Sequence, residues 1–161
     1  MIKVIAIDFG GVYFTWDYDR YVKEISNFTG INSEIIKKGL TTKKLLELHV
    51  DKISEEEYWD SFCKKIKKKI DYKILKKITL NQFKPIKPVI NLMKKLRKRH
   101  IIVLLANQTK ALDDLDKKYH FYNDFDLLLS SHIIKMQKPN KNIFNVLCNK
   151  THAKPSEIIF I

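Results

Sequence analysis

Cysteine is scarce in this chain of 161 residues: there are two, Cys63 and Cys148, and two thiols cannot build a disulfide framework. Both fall on the apolar side of an expected helix, as buried free thiols do, so neither metal nor redox chemistry is expected of them. The five histidines, His49, His100, His120, His132 and His152, are scattered. They form no i, i+4 pair of the kind a zinc helix uses, have no cysteine at ligand spacing, and offer no Ser-His-Asp set that sequence alone can nominate. No basic segment leads into a long apolar run at the N-terminus. The run "VIAI" is too short for a signal-peptide core and far too short to span a bilayer, so the expectation is a soluble, cytoplasmic protein without a membrane partner. Two Asn-x-Thr sites, at Asn27 and Asn149, carry meaning only in a secreted protein.

Acidic residues are also few, 18 against 31 Lys and Arg, which leaves a formal charge of +13. Such a field attracts anions of every kind, from nucleic acid to phosphorylated metabolites, and does not choose among them. Two clusters stand out, "KKIKKK" at 64 to 69 and "KKLRKRH" at 94 to 100, and both are read as solvated faces of helices whose other face is apolar. With no helix-turn-helix, zinc-finger or RNP-like signature, nucleic acid is not the expected partner; steeply salt-dependent binding to DNA or RNA is the test for it. Hydrophobic residues at 45% and charged residues at 30% indicate a globular chain of one ordinary domain with room for a modest insertion.

Four runs are continuously apolar: "KVIAID" (3 to 8), "IIVLLA" (101 to 106), "FDLLLS" (125 to 130) and "EIIFI" (157 to 161). Continuous rather than alternating runs are expected of parallel strands covered on both faces. Helical patterns separate them. Residues 88 to 99 carry Val89, Leu92, Met93 and Leu96 at helical spacing, and residues 139 to 150 carry Ile143, Phe144, Leu147 and Cys148. The alternation predicts βαβ units with right-handed crossovers, an α/β fold with a doubly wound parallel sheet.

Residues 15 to 83 break the alternation, with helical patterning and turn signals only. In "SEEEYWDSFCKKIKKKI", Ser54 and Glu57 form a capping-box pattern, and Tyr58, Phe62, Ile66 and Ile70 recur every fourth residue. This region is expected to be a small all-α insertion whose tryptophans and phenylalanines are its own core. The expected division is 1–14 with 84–161 for the sheet unit, and 15–83 for the helical one.

"IAIDFGGVYF" ends its apolar run in a carboxylate, Asp8. In an open α/β sheet ligands bind beyond the carboxyl ends of the strands, where Asp8 falls. Gly10 and Gly11 allow a sharp turn and a close backbone approach, so main-chain N–H groups there could meet an anion. A carboxylate so placed can act as a nucleophile if a cation offsets its repulsion with an incoming phosphate. "ANQT" (106 to 109) offers backbone donors, the Asn107 amide and the Thr109 hydroxyl. Past the third strand, Lys138 stands before Pro139, which favours an extended residue ahead of it and starts a helix well.

The order of strand-Asp, helical insertion, strand with polar turn, strand, Lys-Pro-helix and strand resembles the haloacid dehalogenase (HAD) superfamily along the whole chain. "IAIDFGGVYF" is similar to its first motif, "IIVLLANQT" to its second and "QKPNKNIF" to its third, while "HVDKISEEEYWDSF" resembles its helical cap. The resemblance implies a HAD-like Rossmannoid core with Asp8 as aspartyl nucleophile. It implies Mg²⁺ held by the Asp8 carboxylate and the Gly10 carbonyl, and Lys138 paired with Asp8 and the transferring group. Asn107 would help hold the phosphate of a small phosphorylated substrate. The Asp-x-Gly start is most similar to the branch of sugar-phosphate phosphatases that includes proteins like glucose-1-phosphatase.

Three positions depart from the family pattern. Gly10 stands where a second Asp serves as general acid and base, a contribution of about 10²- to 10⁴-fold; that branch shares the substitution, and Asp17 is either a stand-in or an exposed loop carboxylate. Ala106 replaces a Ser or Thr that bonds the phosphate, a loss of about 1.5–3 kcal/mol. The last strand, "EIIFI", is where the family's paired acidic residues would follow, so weak Mg²⁺ binding and a truncated chain are expected. The readings are a Mg²⁺-dependent phosphatase, a catalytically inactive remnant that binds or scaffolds, a metal-independent dehalogenase, and a basic nucleic-acid binder.

Overall fold

The four apolar runs become four parallel strands in the computed structural model, which describes residues 1–161 throughout. The elements are, in chain order, β1 (Val4–Ile7), α1 (Tyr18–Thr29), α2 (Ser33–Leu40), α3 (Lys43–His49), α4 (Glu55–Lys65), α5 (Tyr72–Gln82), α6 (Lys87–Leu96), β2 (Ile101–Ala106), α7 (Ala111–Tyr119), β3 (Leu127–Ser130), α8 (Ser131–Ile134), α9 (Asn142–Thr151) and β4 (Ile158–Phe160). The strand order is β3-β2-β1-β4, with Ala6 of β1 in register with Val103 on one side and Phe160 on the other. The architecture is α/β, a parallel sheet flanked by helices.

The strands read as continuous apolar runs because successive side chains enter two different cores. Ile5, Ile7, Ile102 and Leu104 point to one face, where Met93 of α6, Leu112 and Leu115 of α7 and a cluster of aromatic rings cover them. Val4, Ala6, Val103 and Leu105 point to the other, against Ile143 and Leu147 of α9. Phe9, Tyr13 and Phe14 fill the first core immediately after β1; Phe9 and Phe14 stack with centroids 4.7 Å apart. Such a pair adds about 0.5–1.5 kcal/mol beyond the area it buries.

Helices α1 to α5 form a third core of their own, around Tyr21, Ile25, Ile36, Trp59, Phe62 and Leu75. The chain enters and leaves this helical stretch through two paired segments. The Thr15 N–H donates to the Lys84 carbonyl at 2.8 Å and the Ile86 N–H to the Tyr13 carbonyl at 3.0 Å. Two ion clusters tie the helices to the elements around the sheet. Asp51 meets Lys110 at 2.9 Å and Lys135 at 2.5 Å. Lys76 of α5 meets Glu55 of α4 at 2.5 Å and Asp114 of α7 at 2.6 Å.

Local signals act as the sequence indicates in places and yield in others. The capping box closes at α4: the Glu57 N–H donates to Ser54 Oγ at 3.1 Å and the Ser54 N–H to Glu57 Oε2 at 2.7 Å, which satisfies two N–H groups that the first turn leaves without partners. The four-residue repeat overshoots, however. α4 stops at Lys65, Lys67 takes a left-handed φ of 53°, and Ile70 packs on the helical core from outside the helix. Continuing would stack Lys64 over Lys68 and Lys65 over Lys69, like charges that disfavour a helix, while Asp71 starts α5 by accepting from the Lys73 N–H. The basic run 64 to 69 is thus a turn more than a helix face, as is 97 to 99 after α6. Pro139 does not open α9; the Asn140 side chain accepts from the Asn142 N–H at 3.0 Å, and the helix begins there. Cys63 is buried, but Cys148 is only half-buried.

Gly39 in α2 permits a close contact with α4: a Cβ there would lie 2.9 Å from two ring atoms of Phe62, a side chain 1% exposed. Ala is the better helix former by about 1 kcal/mol, and overpacking a buried ring costs about 1–3 kcal/mol. Gly39→Ala is therefore expected to lower Tm by a few degrees in a circular-dichroism melt; an unchanged or higher Tm would contradict the contact.

Candidate active site

Asp8 follows β1 directly, at the carboxyl edge of the sheet, and Lys138 reaches the same edge from the segment between α8 and α9. Lys138 Nζ lies 2.9 Å from Asp8 Oδ2, with the lysine side chain 15% exposed and the aspartate 37%. The other carboxylate oxygen, Oδ1, accepts from the Phe9 N–H at 2.7 Å, which fixes the rotamer. Lys138 is held by more than its counter-ion. Its Nζ donates to the Leu105 carbonyl of β2 at 2.9 Å and sits 4.7 Å from the ring centroid of Phe160 in β4. Asn107, one residue past β2, grips the lysine backbone at both ends: its amide donates to the Lys138 carbonyl at 2.8 Å and its carbonyl accepts from the Lys138 N–H at 2.7 Å.

The pair opens into a cavity of about 380 Å³ between the sheet edge and the helical stretch, within the range of small-molecule sites. Asp8, Gly10, Asn107 and Lys138 form one end, and Trp16, Tyr21, Leu45, Leu48, Tyr58 and Trp59 belong to the rest of its wall. Trp59 and Tyr58 are at the same time part of the helical core, so the aromatics of this region serve both as core and as cavity wall. That is a correction to a purely structural reading of them. Trp16, stacked on Phe83 at 4.8 Å, was not distinguishable from core by sequence, and neither was His49.

Other sequence candidates fall differently. Gly10 lines the cavity, and a Cβ there would be tightly placed, 3.3 Å from the Trp16 Cβ. A side chain at position 10 would require Trp16 to give by a few tenths of an ångström. Gly11, with a φ of 82°, turns the chain, but its N–H donates to the Phe14 carbonyl at 2.7 Å and it is not among the lining residues, so the close main-chain approach to an anion expected of it is not what the structure builds. The Asn107 amide is spent largely on Lys138, leaving one N–H for a ligand. Thr109 Oγ1 accepts from the Ala111 N–H at 3.1 Å at the start of α7. Asp17 is the N-cap of α1, accepting from the Arg20 N–H at 3.0 Å, and is not a stand-in acid at the cavity.

The protein brings no cluster of three or more His, Cys, Asp or Glu side chains together. Glu55 lines the cavity, but it is paired with Lys76. A divalent cation at this edge would meet one carboxylate, Asp8. A single carboxylate fits a Mg²⁺ ion that keeps most of its waters, not an all-protein cage.

Once this geometry is set beside known proteins, the fold is recognisable. No protein-family model matches the sequence, and no curated protein matches it. Among solved structures, a HAD family enzyme from Bacteroides thetaiotaomicron in complex with magnesium and inorganic phosphate superposes with a TM-score of 0.84 at 24% identity, over 99% of this chain and 84% of that one. This chain has the fold of the HAD enzymes. A predicted HAD-like family hydrolase from Porphyromonas gingivalis gives a TM-score of 0.81 at 26% identity, over 99% and 81% of the two chains. The L-2-haloacid dehalogenase of Xanthobacter autotrophicus with chloropropionic acid covalently bound is more distant, with a TM-score of 0.69 at 14% identity, over 99% and 69%. No helix in this HAD-like fold is long and apolar enough to cross a membrane.

Two histidines tie this region to pH. Burial lowers the pKa of His49, in the cavity wall, and of His132, which is 5% exposed and bonded to Ser130 Oγ at 2.7 Å; for His132 this outweighs the nearby Asp113. Both are kept neutral by folding, whereas the unfolded chain protonates near pH 6.5. The unfolded state then binds more protons, so stability is full above that pH and falls as pH drops below it. Tm is expected to decline between pH 7.5 and about 5.5, and less steeply in His132→Asn; an unchanged slope would contradict the assignment.

Proposed function

We propose that this protein is a HAD-like hydrolase that removes phosphate from a small phosphorylated metabolite by way of an aspartyl-phosphate on Asp8. The observation that carries the reading is the Asp8–Lys138 pair, 2.9 Å apart and opening into the cavity. A carboxylate oxygen of Asp8 would attack phosphorus in line, the P–O bond to the alcohol would break, and the alkoxide would leave with a proton from water. Water would then cleave the acyl phosphate, returning the carboxylate and inorganic phosphate. Lys138 is the cation that lets one anion approach another, and its ammonium stays where charge develops on the phosphoryl oxygens. The helical stretch, residues 15–83, serves in this reading as a cap over residues 1–14 and 84–161.

Asp8 and the Gly10 carbonyl would hold Mg²⁺, which supplies charge neutralisation of the phosphate when bound. The magnesium and phosphate in the Bacteroides neighbour support this. With a single carboxylate, affinity is expected to be low until the substrate adds its own oxygens. The Asp-x-Gly start supports kinship with the sugar-phosphate phosphatases similar to glucose-1-phosphatase. Gly10 and the apolar wall also suit a dehalogenase, in which Asp8 would displace halide from carbon without a metal.

Asp8→Asn is expected to lower phosphatase turnover by more than about 10⁴-fold, and Lys138→Met by about 10²- to 10³-fold, with both proteins retaining the wild-type circular-dichroism spectrum. Turnover should require Mg²⁺. Equal rates for Asp8→Asn and wild type would exclude the nucleophile, and metal-independent release of halide from a haloacid would favour the dehalogenase.

A further inference from the structure

The cavity wall opposite Asp8 and Lys138 is unusual in how its polar atoms are spent. Tyr21 OH is 3.0 Å from Thr79 Oγ1, Tyr18 OH is 3.1 Å from Thr41 Oγ1, and Tyr58 OH donates to the Leu40 carbonyl at 3.0 Å. The charged pair in the wall, Glu55 and Lys76, is closed on itself and on Asp114. These hydroxyls and charges are paired with one another or with the backbone, and although His49 and Gln108 also line the cavity, the surface around Trp16, Trp59, Leu45 and Leu48 is ring and aliphatic carbon. Trp16 is fixed in place by stacking on Phe83 at 4.8 Å and by Tyr21 at 5.1 Å, so it offers a preformed flat surface.

Sugar hydroxyls set against this carbon would lose bonds to water without gaining any from it. A planar apolar group loses nothing comparable and gains stacking against the rings. On the reading that the Asp8 end hydrolyses a phosphate ester, we propose that the ester's organic part is an apolar, ring-bearing alcohol rather than a polyhydroxylated sugar, seated against Trp16. Specificity thus resides in the helical stretch, with Trp16 as a specificity-determining residue, while the sheet edge holds the phosphate common to both classes. The same tryptophan borders Gly10, where a Cβ would stand 3.3 Å from the Trp16 Cβ.

Benzyl phosphate and glucose 6-phosphate are suitable probes because both are esters of primary alcohols, so the leaving groups are of one kind. For the wild-type chain with Mg²⁺, kcat/KM is expected to favour benzyl phosphate by about 30-fold, within the discrimination an apolar pocket provides. Trp16→Ala should reduce that ratio about tenfold, mainly through KM for benzyl phosphate, and Trp16→Phe should retain most of it. Leu45→Gln, which adds a donor and an acceptor without touching the stack, should shift the ratio toward glucose 6-phosphate. In parallel, tryptophan fluorescence of Asp8→Asn should report tighter binding of benzyl phosphate than of glucose 6-phosphate, with no turnover needed. Hydrolysis of both esters without preference, or a ratio unmoved in all three variants, overturns the apolar-substrate proposal and leaves the hydrolase standing. Preferential binding of benzyl phosphate with no hydrolysis by wild type supports the apolar seat and overturns the hydrolase.

Discussion

One ammonium group ties the site together. Lys138 Nζ joins the Asp8 carboxylate after β1, the Leu105 carbonyl in β2 and the Phe160 ring in β4, and so binds three neighbouring strands at the edge where they end. A charge 15% exposed would be expensive without such partners, and each contact replaces part of its lost hydration. The Asn107 amide adds a two-point grip on the lysine backbone, so the ammonium arrives at a fixed place and does not swing in solvent. The geometry is preorganised, and preorganised charge is what lowers the cost of bringing an anion up to a carboxylate.

The helical stretch supplies the other half of the site. Its root is the backbone pairing of residues 13–15 with 84–86, and its sides are pinned by Asp51 with Lys110 and Lys135 and by Lys76 with Glu55 and Asp114. The pairing of Asp51 with Lys135 and Lys110 holds its carboxyl below the ordinary range, so these bridges persist through neutral pH. The aromatic side chains are shared between the third core and the cavity, which couples the packing of that core to the shape available to a ligand.

Strand runs were legible because parallel strands buried on both faces leave continuous apolar stretches, as in "VIAI" and "IIVLLA". Asp8 and Lys138 were legible only together, through the order of elements between them, since a lysine in a chain with 31 Lys and Arg carries no signal alone. What remained hidden depends on contacts distant in sequence. Nothing in "DFGGV" reveals that the Gly11 N–H is consumed by Phe14, or that Trp16 occupies the space beside Gly10. The partners of Asp51 lie 59 and 84 residues away, beyond any spacing rule. The end of α4 was missed for a local reason: periodicity of apolar residues continued to Ile70 while charge repulsion among lysines did not permit the helix to follow.

The central claim is that an oxygen of Asp8 becomes covalently bonded to phosphorus. Quenching the enzyme during turnover of a phosphate ester with Mg²⁺, reducing with borohydride and sequencing the peptide by mass spectrometry tests this directly, because borohydride converts an aspartyl-phosphate to homoserine. The account predicts homoserine at position 8, dependent on substrate and absent from Asp8→Asn. An intact Asp8 in an enzyme that is demonstrably turning over would contradict it.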